Sequence, residues 1–427
     1  MTTKNDILAS IDSPKRLEEL YLTDPDIFIE SFEEAFKENP DSLILQIWFE
    51  RLHYSTTSNI DIDHYQTNNR KYFLLAVIVG TFAGVLTILP AILDPLVPYR
   101  VYDRNIALLI LLPLLLYFGI KNLRKPKHIV VVSSFVIGIF IFLNCFPNIF
   151  ESDTELLSTI AAPFFFWMLI GFAFCAENWT NFSKRNDYLN FSGKLIFLSS
   201  VFYLCWLILL FVIDTFITLF TYYDYFHWAH EYMIFGLAVF PTITAHLIES
   251  DPRFRFNILA LLSRIFIPFV FVVEVLLIIL INIKYQNLIT IQDLLFVSIL
   301  FIFLVLILTI LSISDRAWNS PIRKIDFATF ALIGLTLITG VILFVSFLLK
   351  ISISTLSPAF ITGIGSYFLL LAHLAGLFDL YIKRFRHKVE MKFIHQWTAK
   401  LMPIYASWLI FILIGLPIIF GFSLPFH

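Results

Sequence analysis

Residues 214–274 read DTFITLFTYYDYFHWAHEYMIFGLAVFPTITAHLIESDPRFRFNILALLSRIFIPFVFVVE and decide the fold class of this chain. The stretch contains one apolar run, 229–249, and most of a second, 258–282. About 20 apolar residues in helical form cross the hydrocarbon layer of a membrane, so each run is long enough to span it. The stretch therefore predicts two transmembrane helices joined by a short polar loop.

The composition of the whole chain agrees with this prediction. Of the 427 residues, 59% are hydrophobic and only 15% are charged, and the mean hydropathy is +0.82. A soluble domain carries about 25% charged residues. The composition therefore predicts an all-α, polytopic integral membrane protein. The first apolar run begins behind about 70 polar residues, so we expect no cleavable signal peptide.

Apolar runs of sufficient length recur along the rest of the chain and predict about eleven transmembrane helices. The predicted spans are 72–93, 105–121, 129–147, 157–175, 195–217, 229–249, 258–282, 293–314, 327–349, 356–380 and 402–422.

The loops between these spans differ in their basic residues. Alternate loops on the side of the N-terminus carry 18 Lys and Arg residues, and those on the opposite side carry 4. Cytoplasmic loops carry the excess of positive residues in membrane proteins. We therefore predict an odd number of spans, with the N-terminus in the cytoplasm and the C-terminus outside.

Residues 1–69 form a distinct acidic region. The chain has 14 acidic and 6 basic residues up to Arg70, a net charge of −8. Three helices are predicted here, and Asp24 followed by Pro25 is a typical helix start. We predict a small cytoplasmic helical cap, with 55–69 as a polar linker. The cap either binds a protein partner or has no binding role.

Ionisable residues inside apolar spans are costly and suggest functional sites. Glu274 lies 16 residues into the seventh span, roughly 24 Å from its start. It is predicted either to relay a proton or cation, or to be a protonated structural residue. Asp214, at the outer end of the fifth span, is predicted to face the same outer cavity.

The first turns of the sixth span carry His227, His230 and Glu231, which share one helix face. They join the predicted outer polar group. Two imidazoles and a carboxylate are ligand types that zinc accepts, but the order matches no known zinc motif. The alternative is a polar cap at the membrane interface, and we predict no metal site and no cofactor.

A second set of polar residues lies near the predicted inner ends of spans. These residues would form an inner polar cluster if their helices are adjacent. They are Arg264, His246, His373 and Asp379. For Arg264 alone, a long side chain that reaches the interface is the competing interpretation.

The predicted inner loop 381–401 reads YIKRFRHKVEMKFIHQWTAKL and has aromatic or aliphatic residues at every fourth position. This pattern favours a basic amphipathic helix on the inner leaflet, where anionic lipid attracts it. The alternative is an ordinary cluster of loop charges. The residues predicted to face lipid are Lys383, Arg384, Arg386, Lys388, Lys392 and Trp397.

The runs RNIALLILLPLLLYFGIKN (104–122) and LLSRIFIPFVFVVEVLLIILINIKY (261–285) carry a resemblance to a known family. With their central prolines in apolar spans, they resemble the uncharacterised bacterial membrane-protein family DUF4153. The resemblance implies a bacterial inner (plasma) membrane protein and carries no site residues over to this chain.

Three functions are compatible with these features. The first is a transporter or permease that uses Glu274 and Asp214 as coupling carboxylates. The second is a non-catalytic scaffold or sensor that binds a partner through residues 1–69. The third is a membrane-embedded lipid-modifying enzyme with His227, His230 and Glu231 near the outer leaflet. The chain has no phosphate-binding GxxxxGK[ST] loop and no GxSxG or HExxH motif, and we expect no nucleic-acid partner.

Overall fold

The computed structural model describes residues 4–11, 13–39, 42–93, 99–146, 152–221, 226–250, 258–284, 291–313, 316, 320–349 and 357–421. The helices in this part of the chain are α1 Lys4–Ala9, α2 Pro14–Thr23, α3 Pro25–Glu38, α4 Leu43–Leu93, α5 Tyr99–Asn122, α6 Pro126–Asn144, α7 Asp153–Cys175, α8 Phe182–Thr221, α9 Phe226–Ser250, α10 Ile258–Lys284, α11 Ile291–Ile313, α12 Lys324–Leu349, α13 Pro358–Phe385, α14 Met391–Ile410 and α15 Leu416–Ile419. The all-α class is confirmed.

The chain divides into two compact units, Met1–Tyr72 and Phe73–His427. The first unit contains α1, α2, α3 and the start of α4, and has its own apolar core. Asp24 caps α3 as predicted, because its side chain accepts a hydrogen bond from the N–H of Ile27 at 3.3 Å. The core of this unit consists of Ile7, Leu17, Phe28, Phe32, Ala35, Leu45 and Trp48.

An ion pair on the surface of the first unit joins α2 to α4. The Arg51 guanidinium donates to both carboxylate oxygens of Glu18 and lowers the pKa of Glu18 below its ordinary value. A carboxyl group with a lowered folded-state pKa contributes stability above its unfolded-state pKa. That contribution is lost as the pH falls through the folded-state value.

The predicted linker 55–69 is helical and belongs to α4. The segment contains no proline and no glycine. Nothing in it interrupts the hydrogen-bond ladder that enters from the apolar segments on either side.

The second unit is a bundle of membrane-spanning helices. In the part of the chain with described side chains, nine segments are long and apolar enough to cross a membrane. They are Arg70–Leu89, Val101–Asn122, Pro126–Asn144, Asp153–Asn178, Phe182–Phe216, Tyr232–Ser250, Lys324–Leu349, Pro358–Phe385 and Met391–Ile419. Helices α10 and α11 cover the two remaining predicted spans, 258–282 and 293–314. The multi-pass architecture is therefore confirmed, and the total of eleven and the sidedness stay predictions.

The helices pack as two neighbouring groups. In one, α5 packs on α7 and α9, and α8 packs on α9. In the other, α10–α14 share an apolar core that includes Ile302, Leu332, Tyr367 and Leu374. Helix α14 joins the groups because it contacts α13 on one side and α7 and α8 on the other.

The glycines of the GxxxG pattern in α4, Gly80 and Gly84, lie against α9. A Cβ atom at Gly80 would be 3.3 Å from the carbonyl oxygen of Val239, and one at Gly84 would be 2.6 Å from the Phe235 ring. Small residues at this spacing let two membrane helices approach closely.

Residues 381–401 do not form one amphipathic helix, so that prediction is wrong. Helix α13 ends at Phe385, and α14 begins at Met391. His387 adopts a left-handed backbone conformation with φ 54°, which terminates a helix. Of the recurring aromatic residues, Phe385 and Trp397 pack on the apolar core of the bundle, and Phe393 is 48% exposed. The Phe385 ring, for example, stacks on that of Phe327 with centroids 4.5 Å apart.

Two of the residues predicted to face lipid are packed inside the protein. Arg384 donates from Nη2 to the carbonyl oxygen of Ser320 at 2.8 Å, and Trp397 donates from Nε1 to that of His373 at 3.1 Å. These bonds join Arg384 to a residue 64 positions earlier and Trp397 to one 24 positions earlier in the chain. Lys383, Arg386 and Lys388 are exposed and Lys392 is half-buried, and their contact with anionic lipid stays a prediction.

Candidate functional site

Glu274 lies on α10 and is only 4% exposed. Its carboxyl oxygens face two hydroxyl groups of α12. Oε2 lies 2.8 Å from Thr336 Oγ1, and Oε1 lies 3.1 Å from Thr339 Oγ1. The spacing of three residues places both threonines on one face of α12. Among the described residues, no basic side chain forms an ion pair with Glu274, so its contacts are with neutral groups.

Each of these threonines has a second acceptor within its own helix. Thr336 Oγ1 lies 2.9 Å from the carbonyl oxygen of Leu332, and Thr339 Oγ1 lies 3.1 Å from that of Leu335. A hydroxyl group has one hydrogen to donate and can also accept. The hydroxyls can therefore donate to an ionised Glu274, or donate to the helix carbonyls and accept a hydrogen bond from a protonated Glu274.

A tyrosine of α13 contacts the same turn of α12. Tyr367 Oη donates to the carbonyl oxygen of Gly340 at 2.9 Å and lies 2.7 Å from Ser298 Oγ of α11. A Cβ atom at position 340 would lie 2.8 Å from the Leu371 side chain and 3.5 Å from Tyr367 Oη, so glycine makes room here for Leu371. Four helices thus contribute polar groups to one level of the bundle. We call Glu274, Ser298, Thr336, Thr339 and Tyr367 the α12 polar site.

The remaining members of the predicted outer polar group are not brought to this site by any described contact. Asp214 is half-buried on α8. His227, His230 and Glu231 lie in the first turns of α9, and their side chains fall outside the described residues. Within the described side chains, no group of three or more His, Cys, Asp or Glu residues is placed to hold a metal ion.

The residues of the predicted inner cluster lie in separate surroundings. His373 Nδ1 lies 3.0 Å from Tyr405 Oη of α14. Asp379 is exposed and pairs with Lys383 at 2.5 Å, and Arg264 is exposed beside a surface hollow. The structure does not bring these three together with His246, because α9 and α13 belong to different helix groups.

His246 belongs instead to a hydrogen-bonded chain between α5 and α9. Its Nδ1 lies 3.2 Å from Tyr117 Oη, and Tyr117 donates to Glu249 Oε2 at 2.8 Å. Lys121 pairs with the same oxygen at 2.8 Å. His246 therefore bonds to α5, and its ring lies beside that of Phe73 of α4, with centroids 5.6 Å apart.

A buried polar group that sequence reasoning missed lies where α11, α12, α13 and α14 meet. Arg316, just beyond α11, forms an ion pair with Asp326 in the first turn of α12. The other oxygen of Asp326 accepts from the backbone N–H of Arg323 at 2.9 Å. Both charged side chains are buried, Asp326 completely.

Three further side chains surround this pair. Arg384 and Tyr381 come from the end of α13, and His395 comes from the second turn of α14. Tyr381 lies within electrostatic range of Arg316, Asp326 and Arg384, and His395 lies within range of both arginines. We call Arg316, Asp326, Tyr381, Arg384 and His395 the buried arginine cluster.

Helix α8 extends this polar region on the other side of α14. Asn186 Oδ1 lies 3.2 Å from His395 Nδ1, and Arg185 Nη1 donates to the carbonyl oxygen of Ala399 at 2.8 Å. Arg185 is also buried. One end of the bundle therefore holds several arginines beneath its surface, on the side predicted to be cytoplasmic.

In the sequence, Arg185 and Arg316 were interpreted only as loop charges that set the orientation, and Arg384 was also predicted to face lipid. Little in the sequence distinguishes the buried Arg316 from an ordinary loop arginine. Its partner Asp326 lies ten residues away, and an acid at that distance is common in a polar loop. Burial of these groups depends on four helix ends meeting, which no local pattern records.

Comparison with known proteins finds no matching family model, curated protein or solved structure. The resemblance to DUF4153 stays a prediction.

Proposed function

We propose that this multi-pass membrane protein is a transporter or permease in which Glu274 binds and releases a proton as a substrate crosses. The observation that supports the proposal is the pairing of buried Glu274 with two hydroxyls that suit either protonation state. Carboxyl groups within membrane spans mark ion and proton pathways in many transporters.

The proton exchange needs little rearrangement at the α12 polar site. When Glu274 is ionised, Thr336 and Thr339 donate to its two oxygens. When one oxygen of Glu274 takes up a proton, that O–H donates to the threonine facing it, whose own hydroxyl turns to its helix carbonyl oxygen. The other threonine continues to donate to the second carboxyl oxygen. Both states keep their hydrogen bonds, so neither bears the cost of an unsatisfied buried polar group. Asp214 remains the second candidate coupling carboxylate.

The experiment is uptake into proteoliposomes under an imposed pH gradient. A pool of small metabolites is supplied outside, and mass spectrometry identifies those that wild-type protein accumulates. Glu274→Gln keeps the shape of the side chain and removes its exchangeable proton. We expect it to lose accumulation driven by the gradient and to retain exchange of substrate at equilibrium.

The matched control is Glu177→Gln, which changes an exposed acid paired with Lys125. It should accumulate substrate as the wild type does. Equal accumulation by Glu274→Gln and wild type, or no gradient-driven uptake of any metabolite by wild type, would contradict the proposal.

Two other functions remain predictions. A scaffold or sensor role for residues 1–69 is favoured by large apolar side chains that the first unit leaves exposed, among them Leu22, Leu43 and Ile47. A lipid-modifying enzyme would depend on His227, His230 and Glu231.

A further inference from the structure

The buried arginine cluster carries more positive than negative charge. Its two guanidinium groups, Arg316 and Arg384, are 5% and 4% exposed, and Asp326 is the one carboxylate of this cluster among the residues that the structure describes. Asp326 is occupied by Arg316 and by the backbone N–H of Arg323. Among the described residues no acid pairs with Arg384, which donates to the neutral carbonyl oxygen of Ser320. An uncompensated buried charge is strongly destabilising, so the excess calls for an anion.

The cluster also contains polar atoms that have no hydrogen-bond partner among the described residues. Arg316 Nη2, Arg384 Nε and His395 Nε2 are buried and lack a hydrogen-bond partner in the described part of the chain. Thr398 Oγ1, one turn along α14 from His395, is also buried and also lacks a hydrogen-bond partner there. Buried donors are almost always paired in folded proteins, so the unpaired N–H groups of Arg316 and Arg384 indicate a missing acceptor.

We propose that the buried arginine cluster binds an oxyanion of the phosphate class. Guanidinium groups offer planar pairs of N–H donors that match the spacing of phosphate oxygens. Arg384 would supply the uncompensated charge, and Arg316 Nη2 and Thr398 would supply further hydrogen bonds. The phosphate group comes either from a free phosphate ion or from the headgroup of an anionic lipid. The site is separate from the α12 polar site and does not depend on the function proposed for Glu274.

The test is thermal unfolding of the purified full-length protein in detergent, with increasing inorganic phosphate at constant ionic strength set by chloride. A ligand that binds only the folded state stabilises that state, and the unfolding temperature keeps rising as the ligand concentration increases beyond Kd. We expect phosphate to raise the unfolding temperature of the wild type. Arg384→Gln should weaken the apparent affinity by about ten- to hundredfold, because it removes charge-assisted hydrogen bonds.

Arg386→Gln is the matched control, since Arg386 lies two residues along and is exposed. It should keep the full response to phosphate. Arg384→Lys keeps the charge and loses the planar pair of donors, so it should respond more weakly than wild type. If Arg384→Gln does not fold, Arg384→Lys provides the test in its place.

A parallel series in nanodiscs distinguishes the two sources of phosphate. One set contains phosphatidylcholine alone and the other includes phosphatidic acid. Stabilisation by phosphatidic acid that requires Arg384 assigns the site to a lipid headgroup, and stabilisation by free phosphate that requires Arg384 assigns it to an ion. The proposal is overturned if neither stabilises the wild type, or if stabilisation survives unchanged in both Arg384 variants.

Discussion

Two buried acids in this protein, Asp326 and Glu274, differ in the hydrogen-bonding groups that surround them. Asp326 accepts from a guanidinium and a backbone N–H, both of which favour its ionised form. Glu274 faces two neutral hydroxyls that each have another acceptor. Asp326 is therefore suited to a fixed structural role, and Glu274 is suited to exchanging a proton.

Removing the carboxylate of Asp326 is expected to destabilise the protein strongly. Asp326→Ala leaves Arg316 buried without its counter-ion, and breaking such a pair costs about 3–5 kcal/mol. Unfolding by a denaturing detergent measures the loss. Asp379→Ala is the control, because the Asp379–Lys383 pair is exposed and contributes about 0–1 kcal/mol. Equal losses for the two variants would contradict the structural role of Asp326.

At the scale of the helical elements, α13 and α14 pack closely because glycines of α13 lie beneath tryptophans of α14. A Cβ atom at Gly376 would be 2.2 Å from the Trp397 ring, and one at Gly365 would be 2.1 Å from the Trp408 ring. Each indole N–H is also bonded to α13, which fixes the ring. This packing holds Arg384 and His395 at the same end of the bundle.

Gly376→Ala should separate these two helices. The new methyl group meets a ring that its own hydrogen bond holds in place, and overpacking of this kind costs about 1–3 kcal/mol. Thermal unfolding measures the loss, and the fluorescence of Trp397 should shift. Gly363→Ala in the same helix is the control, since no atom lies within 4 Å of a Cβ there. A stability loss in Gly363→Ala as large as that in Gly376→Ala would refute this explanation.

At the scale of the whole molecule, the protein combines a small helical unit with a membrane bundle. The bundle carries polar groups at two levels. The α12 polar site lies within the spans, and the buried arginine cluster lies where helix ends meet. The excess of Lys and Arg in alternate loops predicts that the arginine cluster is on the cytoplasmic side.

Reporter fusions test this orientation. We expect alkaline phosphatase fused after His427 to be active, because that enzyme folds outside the cytoplasm. A fluorescent protein fused before Met1 should fluoresce, as it does when it stays inside. Alkaline phosphatase fused in the 386–390 turn serves as the control and should be inactive. Activity in that turn would place the buried arginine cluster on the outer side instead.

The sequence by itself determined the class, the helices and several of their ends. Apolar length, Asp24 before Pro25 and the GxxxG spacing are local signals, and the structure follows each of them. It did not show that α4 continues through 55–69, because a polar segment without an apolar period leaves the backbone undecided. It also missed the break in 381–401, where the apolar period continues across the left-handed residue His387.

Only the tertiary structure decided which polar residues meet. Glu274 was found from sequence because a charge in an apolar span is conspicuous, but its threonine partners lie more than sixty positions away. Four other polar residues look like ordinary interface residues in the sequence, but four helix ends enclose them in the structure. They are Arg316, Asp326, Arg384 and His395. Membrane helices are apolar around most of their surface, so hydrophobic pattern does not specify which faces contact each other. That choice rests on close packing of particular side chains, and it determines where the buried charges lie.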